Sequence, residues 1–409
     1  MPHAEPQTAP VHDVVIVGGG LVGLSLGIGL AQAGLDVVAV DREDLARQTA
    51  PAFDGRSSAI AFASVQMLRA LEIWPRVTAP QPIQEIRVSD GPSRLFLHFD
   101  HREVGDQPLG YMAENRHIRQ ALQLSAAATP GLKILAPRTV VGMTYAPGHA
   151  ELALDDGARL RARLVCAADG RRSALRAAAG IKLTAWRYRQ AAIVATVQHA
   201  RPHHGIAHER FLPDGPFAIL PLTENRASLV WTARAEMAPT IMALDDRGFA
   251  SEVRRRFGDF LGDVTVLPGR WHYDLGFHLV ERMVAPRLAL VGDAAHGIHP
   301  IAGQGLNLGL RDVAALIEVV ADAAGLGLDI GDAGTLARYQ RWRRGDALLL
   351  GLVTDGLNRL FSNDLPPLRL ARDLGLAAVN RTAPLKRFFI NHARGSLGQL
   401  PKLLKGQPV

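Results

Sequence analysis

The chain has 409 residues, 48% of them hydrophobic and 21% charged, a globular composition long enough for more than one packed domain. Its net charge of +7 suits a soluble surface, and its one cysteine, Cys166, excludes a disulfide framework or a multi-cysteine metal site. No apolar run is long enough to span a bilayer. The N-terminal MPHAEPQTAP is Pro-rich and lacks a basic segment before an apolar core, so it reads as a short disordered lead-in, not a signal peptide. VHDVVIVGGG is a β-branched run ending in glycines, LVGLSLGIGLAQAGL is apolar at helical spacing and closes on Gly34, and DVVAVD is a second buried-type strand. Together they predict a βαβ unit, hence a parallel sheet with a right-handed crossover. Alternating strand patterns with turn residues between them occupy Ile83 to Phe99 and Ala191 to Ala233. The strand–glycine–helix pattern returns at RLRARLVCAADGRRSALRAA (Arg159 to Ala178) and again at PRLALVGDAAHG.

After about Asp312 the pattern is helical to the end, broken by Pro366-Pro367 and Pro384, with AGLGLDIGDAG (Ala324 to Gly334) as a helix connection. The expected fold is α/β. A discontinuous Rossmann-like domain takes residues 11–80, 105–185 and 275–330. An inserted, mainly β substrate domain takes 81–104 and 186–274, and a C-terminal helical region takes 331–409. From Pro366 onward Arg369, Arg372, Arg381, Lys386, Arg387, Arg394, Lys402 and Lys405 face one acid, Asp373, with apolar residues interleaved. Such a tail suits an anionic membrane surface. No nucleic-acid motif accompanies the charge, so nucleic acid is not expected as a partner.

Gly18, Gly20 and Gly23 form G-x-G-x-x-G directly after a strand and at the opening of a helix, and Asp41 ends the next strand. Gly18 permits a tight turn, Gly20 lets backbone approach a pyrophosphate, and Gly23 lets helix and strand pack closely. The helix N-terminus offers N–H groups to phosphate, and Asp41 can accept hydrogen bonds from ribose hydroxyls. His296 and His299 form H-x-x-H, but no further ligand cluster accompanies them, and no metal is expected. Cys166 lies in an apolar strand run and reads as inert core.

GGGLVG, CAADGRRSALR and LALVGDAAHGIHPIAGQGLNLGLRD together resemble the single-component flavin-dependent aromatic hydroxylases, and the last stretch resembles their UbiH-type ubiquinone-biosynthesis branch. FDGRSSAI, YMAENRHIRQAL and FLPDGPFAILPL are similar too, in order along nearly the whole chain. The resemblance implies an FAD site made by Gly18, Gly20, Val22, Gly23, Asp41, Arg42, Arg56, Arg116, Asp169 and Asp293. Pro300, Gly303, Gln304, Gly305, Leu306 and Asn307 would lie beside the flavin ring, with backbone N–H groups towards its pyrimidine side. For Arg56 and Arg116 the alternative is a surface ion pair; for Asp293 it is a helix N-cap, which the same residue could also provide.

The implied reaction hydroxylates a phenolic, prenylated ring with O₂ and NAD(P)H through a flavin C4a-hydroperoxide, with NAD(P)H as a transient reductant because no second complete G-x-G-x-x-G is present. No catalytic base is identified. The expected place is the cytoplasm, peripheral on the inner face of the membrane, and association with other biosynthetic enzymes is compatible with this. Two alternatives stay open: a hydroxylase of a small soluble aromatic compound, and a non-catalytic flavin-binding accessory subunit.

Overall fold

In a computed structural model, residues 10–50, 52–91, 93, 96–363 and 366–409 are described. Residues 1–9, most of the expected lead-in, lie outside the described residues. The run VHDVVIV is a strand, Val11–Val17, because β-branched side chains suit an enclosed pleated position; Val14, Val15 and Ile16 have no exposed surface. It sits between two parallel neighbours, Val37–Val40 and Arg159–Ala167. Leu132–Leu135 and Leu288–Leu290 extend the parallel array on either side. The hairpin Val140–Ala146 and His149–Leu154 pairs antiparallel onto Arg159–Ala167. The predicted helix is Leu21–Gln32, and its residues Gly23 to Ala31 are all buried. Layers cover it on both sides: at Gly29 an added β-carbon would stand 2.3 Å from Ile317 Cδ1 on the long helix Gln304–Gly325.

The second sheet has eight strands, in the order His296–Gly297, Val264–Val280, Leu183–His199, Arg226–Arg234, Gly215–Leu222, Ile206–Leu212, Glu85–Asp90 and Phe96–Asp100. Its outer face carries Ile193, Leu229, Trp231 and Phe217, which pack on Phe249, Val253 and Phe257 of the helix Asp246–Phe257. Its inner face looks towards the first sheet's strand ends. A small sheet of Ser57–Ala61, Gly110–Glu114 and Gln81–Ile83 completes the β structure.

Leu183–His199 and Val264–Val280 each span 17 residues, the first beginning well before the alternating pattern at Ala191 and the second lying outside both alternating stretches. Alternation is visible only where one face is buried. The half-exposed stretches of these strands carry Trp186, Arg187, Trp271 and Tyr273, and strand pairing holds them there. The C-terminal region is helical over Ala333–Phe361, Pro366–Arg381 and Ala383–Ala393 but not to the end. Gly395 and Gly398 adopt positive φ, and beyond them only the short 3-10 turn Lys402–Lys405 forms, tucking Leu403 and Leu404 into the core. Pro366 and Pro384 lie at helix starts, where a missing N–H costs nothing.

One buried carboxylate joins the layers. Asp312, with no exposed surface, accepts hydrogen bonds from Gly292 N–H at 3.1 Å, His296 Nε2 at 2.5 Å and Arg343 Nε at 2.8 Å. Arg343 also reaches Asp346, which pairs with Arg311. Burial alone would raise the Asp312 pKa, but His296 and Arg343 hold it below the usual carboxylate range. Removing the carboxylate leaves a buried guanidinium short of an acceptor, so Asp312→Ala is expected to lower unfolding free energy by about 3–5 kcal/mol in a denaturant titration. A loss under about 1 kcal/mol would mean the network contributes no more than a surface ion pair.

Candidate functional site

At the end of the first strand Gly18 turns with φ +108°, and an added β-carbon would lie 2.3 Å from the Ala168 carbonyl oxygen. At Gly23 it would lie 1.8 Å from the Gly18 carbonyl oxygen. Gly20, the N-cap of the helix Leu21–Gln32, differs: no protein atom lies within 4 Å of its β-carbon position. Two glycines therefore serve packing, and the third leaves open space at a helix N-terminus. Asp41 closes the turn, its carboxylate accepting from Gly19 N–H at 2.6 Å and Glu43 N–H at 2.7 Å. Arg42 points to solvent, with 78% of its side chain exposed and Glu43 as its neighbour.

Asp169 follows the strand Arg159–Ala167 beside this turn. One carboxylate oxygen accepts from Ala174 N–H at 2.9 Å; the other is buried without a partner among the described residues. Arg56 donates two bonds to Asp54 at 2.8 and 2.9 Å and stands over the Tyr273 ring of the second sheet. Asp54 also accepts from Asn115 and Arg119. Burial would raise the Asp54 pKa, but the Arg56 and Arg119 guanidiniums and the Asn115 amide draw it far below the usual range. Burial disfavours the Arg56 charge, which Asp54, Tyr273 and Asp293 restore, so Asp293 stands within electrostatic reach of Arg56. Arg116 instead pairs with Glu114 at 2.8 Å, and Glu114 also holds Arg226. The Arg116 side chain is thus committed to an ion pair, and it is the preceding residue, Asn115, whose N–H donates to the Arg56 carbonyl.

The other glycine-rich turn lies at the start of the helix Gln304–Gly325. Asp293 sits exposed in the 3-10 turn Gly292–Ala294, whose first turn has no side-chain cap; the N-cap alternative is not realised. Pro300 opens the next 3-10 turn, and Gly303 N–H donates to its carbonyl. Gly303 has φ +62° and precedes a helix start that no side chain caps. At Gly305 an added β-carbon would again meet no atom within 4 Å. Leu306 is half-buried against the main core. The Asn307 side chain is used up in clamping the small sheet: it accepts from Ala61 N–H at 2.8 Å and donates to the Ala59 carbonyl at 2.8 Å. Only its backbone is left for a ligand.

Val22 brings the distant segments together. Its side chain lies against Gly292 and Gly309, where an added β-carbon would approach it to 3.3 and 2.9 Å. The second sheet roofs the result. Trp271 packs on Gly55, where a β-carbon would come within 2.1 Å of its ring, and Tyr273 covers Arg56. The two histidines of H-x-x-H have different partners. His296 is bound to Asp312, whereas the buried His299 ring meets the Tyr188 edge at 5.0 Å. Cys166 is fully buried, and burial pushes its thiol pKa up.

Two helix N-termini and two open glycine positions on one continuous surface fit an extended dinucleotide. Comparison with known proteins decides which family this is: the FAD binding domain family matches residues 11–344. The chain belongs to that family. FAD is the family's cofactor, and NAD(P)H its usual reductant. The chain is 49% identical over 403 residues to a ubiquinone hydroxylase, UbiL, of Rhodospirillum rubrum, covering 98% of this chain and 94% of that one. It is 38% identical over 390 residues to the 3-demethoxyubiquinol 3-hydroxylase of Escherichia coli, covering 94% and 98%. The p-nitrophenol 4-monooxygenase PnpA of Pseudomonas putida shares the fold, with a TM-score of 0.79 at 19% identity over 95% of this chain and 99% of that one.

This FAD-family site uses residues that sequence reasoning missed. Asp54 stands two positions before Arg56, inside a stretch already singled out, and its acid-x-arginine spacing was the available signal. Asp312 and Arg343 gave none, because their meeting depends on helix packing. His299 lies in the loop before the second helix start. Its burial draws its pKa from 6.5 down to about 4, against a small opposing pull from Asp355. The folded value is below the unfolded one, so this group's contribution is full above about pH 6.5 and is lost as pH falls towards 4. Accordingly, the stability difference between His299→Phe and the unaltered protein should shift in the variant's favour across that window in urea titrations. A difference that does not vary with pH would show that His299 titrates as a hydrated ring.

Proposed function

We propose that this protein is an FAD-dependent ring monooxygenase that hydroxylates a prenylated phenolic precursor of ubiquinone with O₂ and NAD(P)H. The observation that carries this is the pairing of the open turns at Gly20 and Gly305 under an apolar sheet face. Gly18, Gly20 and Gly23 with the N-terminus of Leu21–Gln32 hold the pyrophosphate, and the Asp41 carboxylate accepts from the ribose. The unpartnered Asp169 oxygen and the exposed Asp293 accept further ligand hydroxyls. Arg56, held by Asp54, places a fixed cation beside Asp293. The backbone N–H groups from Gly303 to Asn307 face the ring and stabilise negative charge there with a helix dipole instead of a side-chain cation. FAD, when bound, supplies oxygen activation and accepts electrons from NAD(P)H. The protein orients the ring and excludes water: Ile301, Met112, Ala207, Phe211 and Leu222 form an apolar cluster between loop and sheet.

Membrane contact belongs to the same reading, with a changed physical basis. Of the basic C-terminal residues, Arg372 is buried against Asp90, Lys386 pairs with Glu103, and Arg394 is buried. The charge is thus partly spent inside. Arg381, Arg387, Lys402 and Lys405 stay exposed, and exposed apolar groups accompany them: Leu349, Leu352, Val353 and Leu360 lie at one-face spacing on Ala333–Phe361, with Phe388 and Phe389 on Ala383–Ala393. Among the described residues no helix is long and apolar enough to cross a membrane, and an exposed apolar face of this kind suits contact with a lipid surface.

The test is turnover. FAD-loaded protein with NADH or NADPH and a prenylated phenol in vesicles should show substrate-stimulated reductant oxidation and a product one oxygen heavier. Leu352→Asp with Phe388→Asp should cut vesicle co-sedimentation by about tenfold while turnover of a short-chain phenol persists. Reductant oxidation without oxygenated product contradicts the reaction; unchanged co-sedimentation contradicts the membrane face.

A further inference from the structure

Glu209 lies on the strand Ile206–Leu212 of the second sheet. Side chains two apart on a strand share a face. Ala207 and Phe211, on either side of it, both belong to the apolar cluster that includes Ile301 of the ring-side loop. Glu209 therefore faces inward, whereas Arg210 turns the other way and donates to the carbonyls of Arg256 and Phe257. Its cross-strand neighbours are Ala218 and Val88, neither able to pair with a carboxyl.

An acid in such a place ordinarily has a partner. Here none acts: no hydrogen bond or charge from the described residues influences the carboxyl, and burial alone pushes its pKa up to about 8. The side chain is half-buried on this face. Half-buried Ala59, Leu220 and Leu357 border the same apolar cluster.

We propose that Glu209 is a substrate-binding residue whose carboxyl hydrogen-bonds the hydroxyl of the phenolic ring, fixing the ring's orientation in the space between the second sheet and the loop at residues 300–307. The inference rests on the ring-hydroxylase reading above. Among apolar neighbours one polar group determines which way a ring lies, because apolar contacts alone slide. A protonated carboxyl is suited to this, since it both donates and accepts without placing a bare charge beside the flavin.

The experiment compares two ligands on FAD-loaded protein: a short-chain prenylated phenol and the same ring without its hydroxyl. Binding is read from the change in flavin absorbance during titration. The unaltered protein should prefer the phenol by about tenfold or more. Glu209→Gln, which keeps a donor and an acceptor, should retain most of that preference. Glu209→Leu should bind both rings alike, with a melting temperature equal to or above the original because an unpaired buried acid is gone. If Glu209→Leu keeps the full preference, the assignment of Glu209 is overturned and the phenol reading stands. If the unaltered protein shows no preference, both are overturned.

Discussion

The buried carboxylate of Asp312 is the constraint on which the rest depends. It stands on the third turn of the helix Gln304–Gly325 and gathers donors from three other places: the Gly292 backbone, the His296 ring and the Arg343 guanidinium. Those bonds set how the 3-10 turn at Gly292–Ala294 sits against the long helix, and hence where that helix begins. Without a fixed helix start, the N–H groups after Gly303 would have no defined target. An anion enclosed in protein holds its charge only because His296 and Arg343 outweigh its desolvation, so the geometry is held together by mutual need.

The same solution to negative charge appears at both ends of the site. Near Gly20 and near Gly303 a helix N-terminus is brought up bare, with no side-chain cap at either. Glycine is required for opposite reasons along these turns. At Gly18 and Gly23 there is no room for a β-carbon; at Gly20 and Gly305 there is room, and it is left for a ligand. Arg56 is a cation held in place beside this surface, through Asp54 and the Tyr273 face. Coupling Arg56 to Tyr273 also ties the first sheet's ligand surface to the second sheet's inner face, which joins cofactor and substrate positions.

Local pattern made much of this legible. The βαβ unit from Val11 to Val40 follows from β-branched runs and glycine punctuation, and the two glycine turns follow from their flanking strands and helices. Features that depend on layers meeting were not legible. Asn307 reads as a ligand contact in the sequence, yet its side chain clamps Ala59 and Ala61, which lie about 250 positions away. The basic tail reads as a charged membrane patch, but Arg372, Lys386 and Arg394 turn inward because the strands and loops near residues 90 to 104 supply acceptors. Glu209 gave no signal, since its isolation is a property of the neighbours Ala218 and Val88.

The central claim is that segments almost 300 residues apart hold a single FAD. Hydrogen–deuterium exchange on the apoprotein, with and without added FAD, tests it directly. Slowed exchange should appear together in the backbone at residues 18–23 and 303–307, at the same FAD concentration. Protection confined to residues 18–23, with the 303–307 turn exchanging as before, would contradict the account.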